Sequence, residues 1–298
     1  MYDILIIGAG PAGISAGIYA VSRGKKTLIL EQTQVGGIIG KVSTVTHYTA
    51  LQAHESGATF AARMKEQALN AGVEIAYETV TGVDLAGEVK TIHTNKGSYQ
   101  ARRVILANGG TPRKLGIPGE AELASKGMGL NAPRDGASYT GKNIYVVGGA
   151  DGAVKEALYL ASFARKLTII HFEDQLGCIP EFRQKVAAAG NITLKLGSRL
   201  HAVYGQDQVE RLEIASERDG SIETIEDPGC GIFVYAGVAP NTQLYTQLAL
   251  QDGYIVTNEK METSIPGVYA AGDIRVKQVR QVATAVADGA IAAINAAL

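Results

Sequence analysis

The chain opens on an apolar run that ends in glycine, Asp3 to Gly8, continues through a helical stretch from Pro11, and returns as a second apolar run, Lys25 to Leu30, ending at Glu31. Uninterrupted apolar runs of this length, bounded by turn residues, read as buried strands, so the order strand, glycine turn, helix, strand is one βαβ unit. The pattern recurs. Asn143 to Gly149 (NIYVVGG), the alanine-rich helical stretch Ala153 to Ala164, and Leu167 to Phe172 (LTIIHF) form a second such unit. Between the two, Tyr77 to Leu106 alternates in short segments broken at Ala86-Gly87 and Asn95-Lys96-Gly97, which predicts a small antiparallel sheet ending at VILANGG.

Glycine and proline interrupt any regular element at Gly116-Ile117-Pro118-Gly119, and again over Gly237 to Asn241. The second βαβ unit lies between these breaks, so it is read as an insertion, and the C-terminal segment must complete the first domain. The expected fold is α/β: two Rossmann-like dinucleotide-binding domains, the second inserted in the first, with small antiparallel β-meanders. The expected domains are 1–114 with 238–298, and 115–237.

Composition narrows the function classes. A chain of 298 residues, 46% hydrophobic and 19% charged, suits a soluble protein with a large apolar interior. A formal net charge of -1 gives no reason to expect nucleic acid or an anionic membrane as a partner. No apolar run approaches the roughly 20 residues a membrane helix needs. No basic, cleavable leader precedes the first strand, and a cytoplasmic protein is expected. The only cysteines, Cys178 and Cys230, are too far apart for a local redox or zinc motif, and no metal site is expected.

Gly8-Ala9-Gly10-Pro11-Ala12-Gly13 is a G-x-G-x-x-G loop between a strand and a helix. There the glycines allow a tight turn and close approach of a pyrophosphate, whose charge the helix N-terminus favours. Glu31 follows at the spacing of an acid that hydrogen-bonds a ribose hydroxyl. The glycines alone would suit an ordinary βα turn, but strand, helix and acid together point to a dinucleotide.

Further motifs stand in a fixed order: Gly36-Gly37, Thr111 to Gly119 (TPRKLGIPG), Gly237 to Thr242 (GVAPNT), Gly267 to Asp273 (GVYAAGD) and Arg280-Gln281-Val282. In this order the chain closely resembles the low-molecular-weight thioredoxin reductases over nearly its whole length. The resemblance implies FAD as cofactor and a homodimer. It assigns Asp273 to the ribityl chain and Arg280, Gln281 and Val282 to the flavin and its phosphates. It extends the expected FAD contacts to Gln32, Gly36, Gly37, Ile38, Val80, Ala107, Asn108, Gly109 and Gly272. Taken singly, Asp273 would equally suit a turn cap and Arg280 a solvated charge. His47 stands where the family typically has asparagine near the isoalloxazine ring; it is either a flavin-tuning group or an ordinary loop histidine. Tyr48 is either a ring neighbour or a core tyrosine.

The chain departs from the family at two places. Where thioredoxin reductases carry C-x-x-C followed by Asp-Gly, this sequence reads Asn131-Ala132-Pro133-Arg134-Asp135-Gly136, so neither thiol is present and thiol exchange is not expected there. Asp135 keeps the place of the family's proton donor, and Arg134 would set a guanidinium near the flavin; these are the candidate catalytic residues, with a turn aspartate and an exposed loop charge as the plainer readings. In the second glycine loop, Gly148-Gly149-Ala150-Asp151, Ala150 replaces a glycine. Where the family reads His-Arg-Arg, this chain has His171-Phe172-Glu173, and Glu173 suits the 2′-hydroxyl of NADH and repels the 2′-phosphate of NADPH. The donor is therefore expected to be NADH or a ferredoxin-like protein, although the ferredoxin-using relatives keep the dithiol. The acceptor is a redox protein or a small molecule. Two other readings stay open: a non-enzymatic FAD-binding protein with a vestigial nicotinamide domain, and a disulfide reductase using Cys178 or Cys230.

Overall fold

The apolar run Tyr2–Ile7 is strand β1, and its last four residues are fully or almost fully buried. A continuous apolar run is what a parallel strand covered on both faces requires. In the computed structural model, which describes residues 1–298, β1 turns into helix α1 (Pro11–Val21), opened by Pro11 where no helical amide hydrogen is needed. Next come strand β2 (Thr27–Glu31), helix α2 (Gly57–Asn70), and strands β3 (Glu74–Tyr77), β4 (Val80–Asp84), β5 (Lys90–Thr94), β6 (Gly97–Leu106) and β7 (Gly110–Pro112). They are followed by helix α3 (Ala132–Asp135), strand β8 (Asn143–Val147), helix α4 (Asp151–Leu160), strand β9 (Lys166–Ile170) and helix α5 (Pro180–Ala188). Strands β10 (Ile192–Lys195), β11 (Ser198–Tyr204), β12 (Arg211–Ser216), β13 (Ile222–Glu226) and β14 (Gly231–Val234) follow. The chain ends with β15 (Val238–Pro240), β16 (Leu250–Gln251), β17 (Tyr254–Ile255), β18 (Val268–Ala270) and helix α6 (Val282–Ala296). The chain divides into two units, Met1–Thr111 with Ala239–Leu298, and Pro112–Val238.

The first unit is built on a seven-stranded sheet in the order β3-β2-β1-β6-β5-β4, with β18 added on β6. Strands β3, β2, β1, β6 and β18 are parallel. The small antiparallel sheet expected over Tyr77 to Leu106 is not a separate sheet. Strand β6 is ten residues long; Gly97 to Ala101 pairs antiparallel with β5, while Ala101 to Leu106 runs parallel to β1, so the meander prolongs the parallel sheet. The alternation of side chains divides the core in two: Ile4 and Ile6 face the cluster that includes α1, α2 and α6, while Leu5 and Ile7 face Leu85, Ile92 and Tyr245. Helices α1 and α6 meet at backbone distance: a Cβ on Gly289 would lie 2.1 Å from the Ala12 carbonyl oxygen, and Ser15 donates to the Val286 carbonyl at 2.8 Å.

The second unit holds a parallel sheet, β10-β9-β8-β14, and an antiparallel meander, β11-β12-β13. Its helix α4 starts two residues before the alanine-rich stretch does, because Ala150 is already extended as N-cap and Asp151 places a negative charge in the first turn, where the helix dipole favours it. No helix of the protein is long and apolar enough to cross a membrane.

Candidate functional site

At the carboxyl edge of β1 the chain leaves the sheet through Gly8, whose φ of +101° belongs to the region that favours glycine. A Cβ on Gly13 would sit 1.9 Å from the Gly8 carbonyl oxygen, so the fold itself demands a glycine there. Gly10 is different. Its backbone, φ −72° and ψ −178°, suits any residue, and a Cβ there would meet no heavy atom within 4 Å. The protein leaves space in front of the α1 N-terminus, where the Ala12 and Gly13 amides have no carbonyl partner within the helix. Such an end attracts phosphate.

Loops close around this space. Gly36 donates its N–H to the Ala9 carbonyl at 2.9 Å, and a Cβ on Gly37 would lie 3.4 Å from Gly10 Cα. Glu31 is buried; Oε2 accepts from the Ala9 N–H at 2.9 Å, and Oε1 accepts from the Thr33 N–H at 2.9 Å. A carboxylate has about four lone-pair directions, so room remains for a ribose hydroxyl. Glu78 donates its N–H to the Glu31 carbonyl at 2.8 Å, which brings the start of β4 and Val80 beside Glu31. Gln32 and Ile38 are exposed.

Asn108 is committed elsewhere. Its side-chain amide donates to the Asn241 carbonyl at 3.1 Å and its side-chain oxygen accepts from the buried Tyr245 hydroxyl at 3.0 Å, while the backbone carbonyls of Asn108 and Gly109 accept from Asn241 at 2.7 and 3.0 Å and the Ala107 N–H donates to the Ile7 carbonyl at 2.8 Å. Arg280 lays its guanidinium over the Tyr254 ring, 4.1 Å from the centroid. Gln281 caps α6, its N–H donating to Thr284 Oγ1 at 3.1 Å, and Val282 is the first residue of that helix. Tyr48 packs edge-on against Phe60 at 5.5 Å, and His47 is exposed with φ +58°.

Asp273, immediately after Gly272, holds a buried Oδ1 without a hydrogen-bond partner. Burial pushes its carboxyl up, against the pull of Lys277 and Arg280. A buried acceptor left unpaired costs about 1–3 kcal/mol, which a ligand hydroxyl would recover. Beside it stands Asp288, which the sequence reading missed. It is buried on α6, accepts from the Gly272 N–H at 3.0 Å and from Lys277 Nζ at 2.7 Å, and lies 3.4 Å from an Arg275 nitrogen. The signal was there: Asp288 is the one charged residue in the apolar helix VATAVADGAIAAINA.

In the second unit Ala150 has a backbone like that of Gly10, φ −81° and ψ 173°, so its exposed methyl takes the position at its own loop that Gly10 leaves clear at the first. His171 is buried beneath this loop, where a Cβ on Gly149 would come within 2.4 Å of its ring, and His171 Nε2 lies 3.0 Å from Glu173 Oε2. A Cβ on Gly177 would be 3.7 Å from the same Glu173 oxygen and 4.0 Å from the Gly149 carbonyl, so the tethered carboxylate lies at the glycine loop. Asp151 Oδ1 accepts from the Ile179 N–H at 2.8 Å.

The two catalytic candidates change meaning. Arg134 donates through two nitrogens to both oxygens of Asp135, at 2.8 and 2.7 Å, and Asp135 also accepts from the Asn131 N–H at 2.7 Å. Asn131 in turn accepts from the Arg134 N–H at 3.3 Å and caps α3. The hydrogen bonds from Arg134 hold the Asp135 carboxyl below the usual carboxylate range, so Asp135 stays ionised and is a poor proton donor at neutral pH. Arg134, already neutralised by Asp135, is correspondingly less able to bind another anion. The cysteines are free, buried and in separate apolar clusters. Burial raises both thiols, Cys230 to about 12. No group of three or more ligating side chains could hold a metal.

Residues 2–289 match the family model of the pyridine nucleotide-disulphide oxidoreductases. The chain is 40% identical over 302 residues to a thioredoxin reductase of Peptoclostridium acidaminophilum, covering 99% of this chain and 96% of that protein. Its structure is similar to that of Lactococcus lactis thioredoxin reductase, with a TM-score of 0.95, 35% identity, and coverage of 99% of this chain and 98% of that one. A ferredoxin-flavin thioredoxin reductase from Clostridium acetobutylicum is similar at a TM-score of 0.54 and 31% identity, over 99% of this chain and 96% of that one.

Proposed function

The chain belongs to the pyridine nucleotide-disulphide oxidoreductase family, on its thioredoxin reductase-like side, and from that premise we propose an FAD-dependent electron-transfer enzyme that works without a local dithiol. The observation that carries this reading is the pairing of clear space at Gly10 with the unpartnered Oδ1 of Asp273. When bound, FAD supplies the redox chemistry, which no side chain here can perform. The α1 amides would hold its pyrophosphate, Glu31 its ribose and Asp273 a ribityl hydroxyl, with Arg280 and Gln281 toward the flavin. Asn131 and Arg134 build a capped, ion-paired turn where the family has sulfur. Cys178 and Cys230 do not replace it, because the thiolate is the attacking species and burial disfavours it in both. A cytoplasmic homodimer belongs to the same reading and rests on the likeness to thioredoxin reductases.

NADH is the favoured donor, since Glu173 is held by His171 beside the glycine loop. Its side chain is 52% exposed, so screening reduces the repulsion of a 2′-phosphate to about 1.4 kcal/mol or somewhat more, roughly tenfold in affinity. The Ala150 methyl favours a second reading, in which a ferredoxin-like protein is the donor, as the name of the Clostridium acetobutylicum relative suggests for that enzyme.

Anaerobic mixing of the yellow protein with NADH, NADPH or reduced ferredoxin separates these readings by flavin bleaching. NADH is expected to reduce the flavin at least about tenfold more efficiently than NADPH, with Glu173→Arg shifting the preference toward NADPH. Reduction by ferredoxin alone would establish the second reading. If no donor bleaches the flavin, the enzyme reading fails and a non-enzymatic flavoprotein remains. With the effective donor, the double variant Cys178→Ser and Cys230→Ser is expected to turn over at the wild-type rate; a loss of turnover beyond the loss of folded protein would return the cysteines to the mechanism.

A further inference from the structure

The opposite edge of the first unit's parallel sheet carries a cleft of about 750 Å³. Strand β6 passes Arg102 and Arg103 where β1 and β18 begin, as the pairings of Tyr2 with Ala101 and of Val268 with Val104 show. Arg103 lies four residues before Ala107, about 13 Å along the strand from the glycine-loop edge. The cleft is thus separate from the dinucleotide site.

Three cations line it. Lys90, at the start of β5, is only 2% exposed, and its ammonium donates to the Gly87 carbonyl. Arg103 donates to the Arg102 carbonyl at 3.2 Å. None of the three forms an ion pair; Asp84 acts on Lys90 only from a distance. The lining carboxylates do not neutralise them: Glu88 is exposed, and Glu262 accepts from the Asn258 amide at 2.6 Å. Burial and the facing Arg103 hold the Lys90 ammonium below its ordinary value, a cost that a nearby anion relieves. Ser264 accepts from the Ala249 N–H at 3.1 Å and keeps its own proton to donate. Val89, Ile265 and Pro266 add an apolar wall.

We infer that this cleft binds a small organic phosphate, its dianionic head held by Lys90, Arg102 and Arg103 and its body against the apolar wall. Two guanidinium forks and an ammonium suit a tetrahedral oxyanion of nearly two charges. The cleft also falls within the roughly 300–1,000 Å³ of small-molecule sites, more than inorganic phosphate fills.

Calorimetric titration of the FAD-loaded protein with glycerol 3-phosphate, and separately with inorganic phosphate, at matched ionic strength tests this. Saturable binding of glycerol 3-phosphate is expected, tighter than inorganic phosphate, and weakened about tenfold or more in the double variant Arg102→Gln and Arg103→Gln, since charge-assisted hydrogen bonds are lost. The exposed single variant Arg102→Gln gives a second measurement should the double variant fold poorly, with at least about threefold weakening expected. Absence of saturable binding, or weakening below these margins, would overturn the proposal, since the phosphate would then be held elsewhere, as at the second glycine loop. The inference does not depend on the flavin's donor or acceptor.

Discussion

Gly10→Val is expected to yield a folded protein that no longer retains FAD. A Cβ at position 10 meets no protein atom within 4 Å, and the Gly10 backbone is one valine adopts without strain. The fold therefore loses only a tolerable N-cap, a cost of about 1 kcal/mol when a β-branched residue replaces glycine. The ligand fares worse. A branched side chain in front of the α1 N-terminus stands where a pyrophosphate must approach, and losing two or more charge-assisted hydrogen bonds at roughly 1.5–3 kcal/mol each weakens binding by about a hundredfold or more. Flavin absorbance per protein after purification, with thermal melting of the apoprotein, reads both effects. A Gly10→Val protein that stays yellow would show that the phosphates lie elsewhere. Gly13 makes the contrast: its missing Cβ would collide with the Gly8 carbonyl oxygen at 1.9 Å, so a side chain there disturbs the turn itself and does not isolate ligand binding.

Asp288→Ala is expected to be the most destabilising single change among the polar residues of this unit. It would leave the Lys277 ammonium, its side chain 7% exposed, and the Gly272 N–H without the carboxylate that now accepts from both. Removing one partner of a buried ion pair typically costs about 3–5 kcal/mol, because the remaining charge stays desolvated. Folded proteins are typically stable by only about 5–15 kcal/mol, so the urea midpoint of the apoprotein should fall markedly. Asp288→Asn should fall less, since an amide oxygen still accepts from Gly272. Removing both charges together, by Asp288→Ala with Lys277→Met, should cost less than Asp288→Ala alone, because no buried cation is then stranded. If Asp288→Ala costs under about 1 kcal/mol, Lys277 reaches solvent when released and the pair contributes little.

The Asn131 to Gly136 stretch shows where residue identity stopped being informative. It holds no cysteine, and its composition leaves Arg134 and Asp135 as candidates of opposite kind, an anion site and a proton donor. Their mutual two-point ion pair, with the Asn131 cap, turns both toward holding α3. Glu173 moved the other way. Sequence gives it a position after a strand; the structure adds the His171 tether and the proximity to Gly149 that make the position specific.

The local pattern by itself determined the apolar parallel strands, the glycine loops between strand and helix, and the insertion of one βαβ unit between halves of another. These follow from backbone preference and side-chain periodicity, which neighbours in the chain decide. Only the tertiary structure separated glycines that the fold needs from the one that leaves space, as at Gly13 and Gly10. It alone joined β6 to two strand systems, found Asp288 beneath Gly272, and lined one cleft with Lys90, Arg102 and Arg103. The reason is distance along the chain. The Ser15 hydroxyl meets the Val286 carbonyl and Asn108 meets Asn241 across separations of 271 and 133 residues, and no local pattern specifies which side chains such long closures bring together.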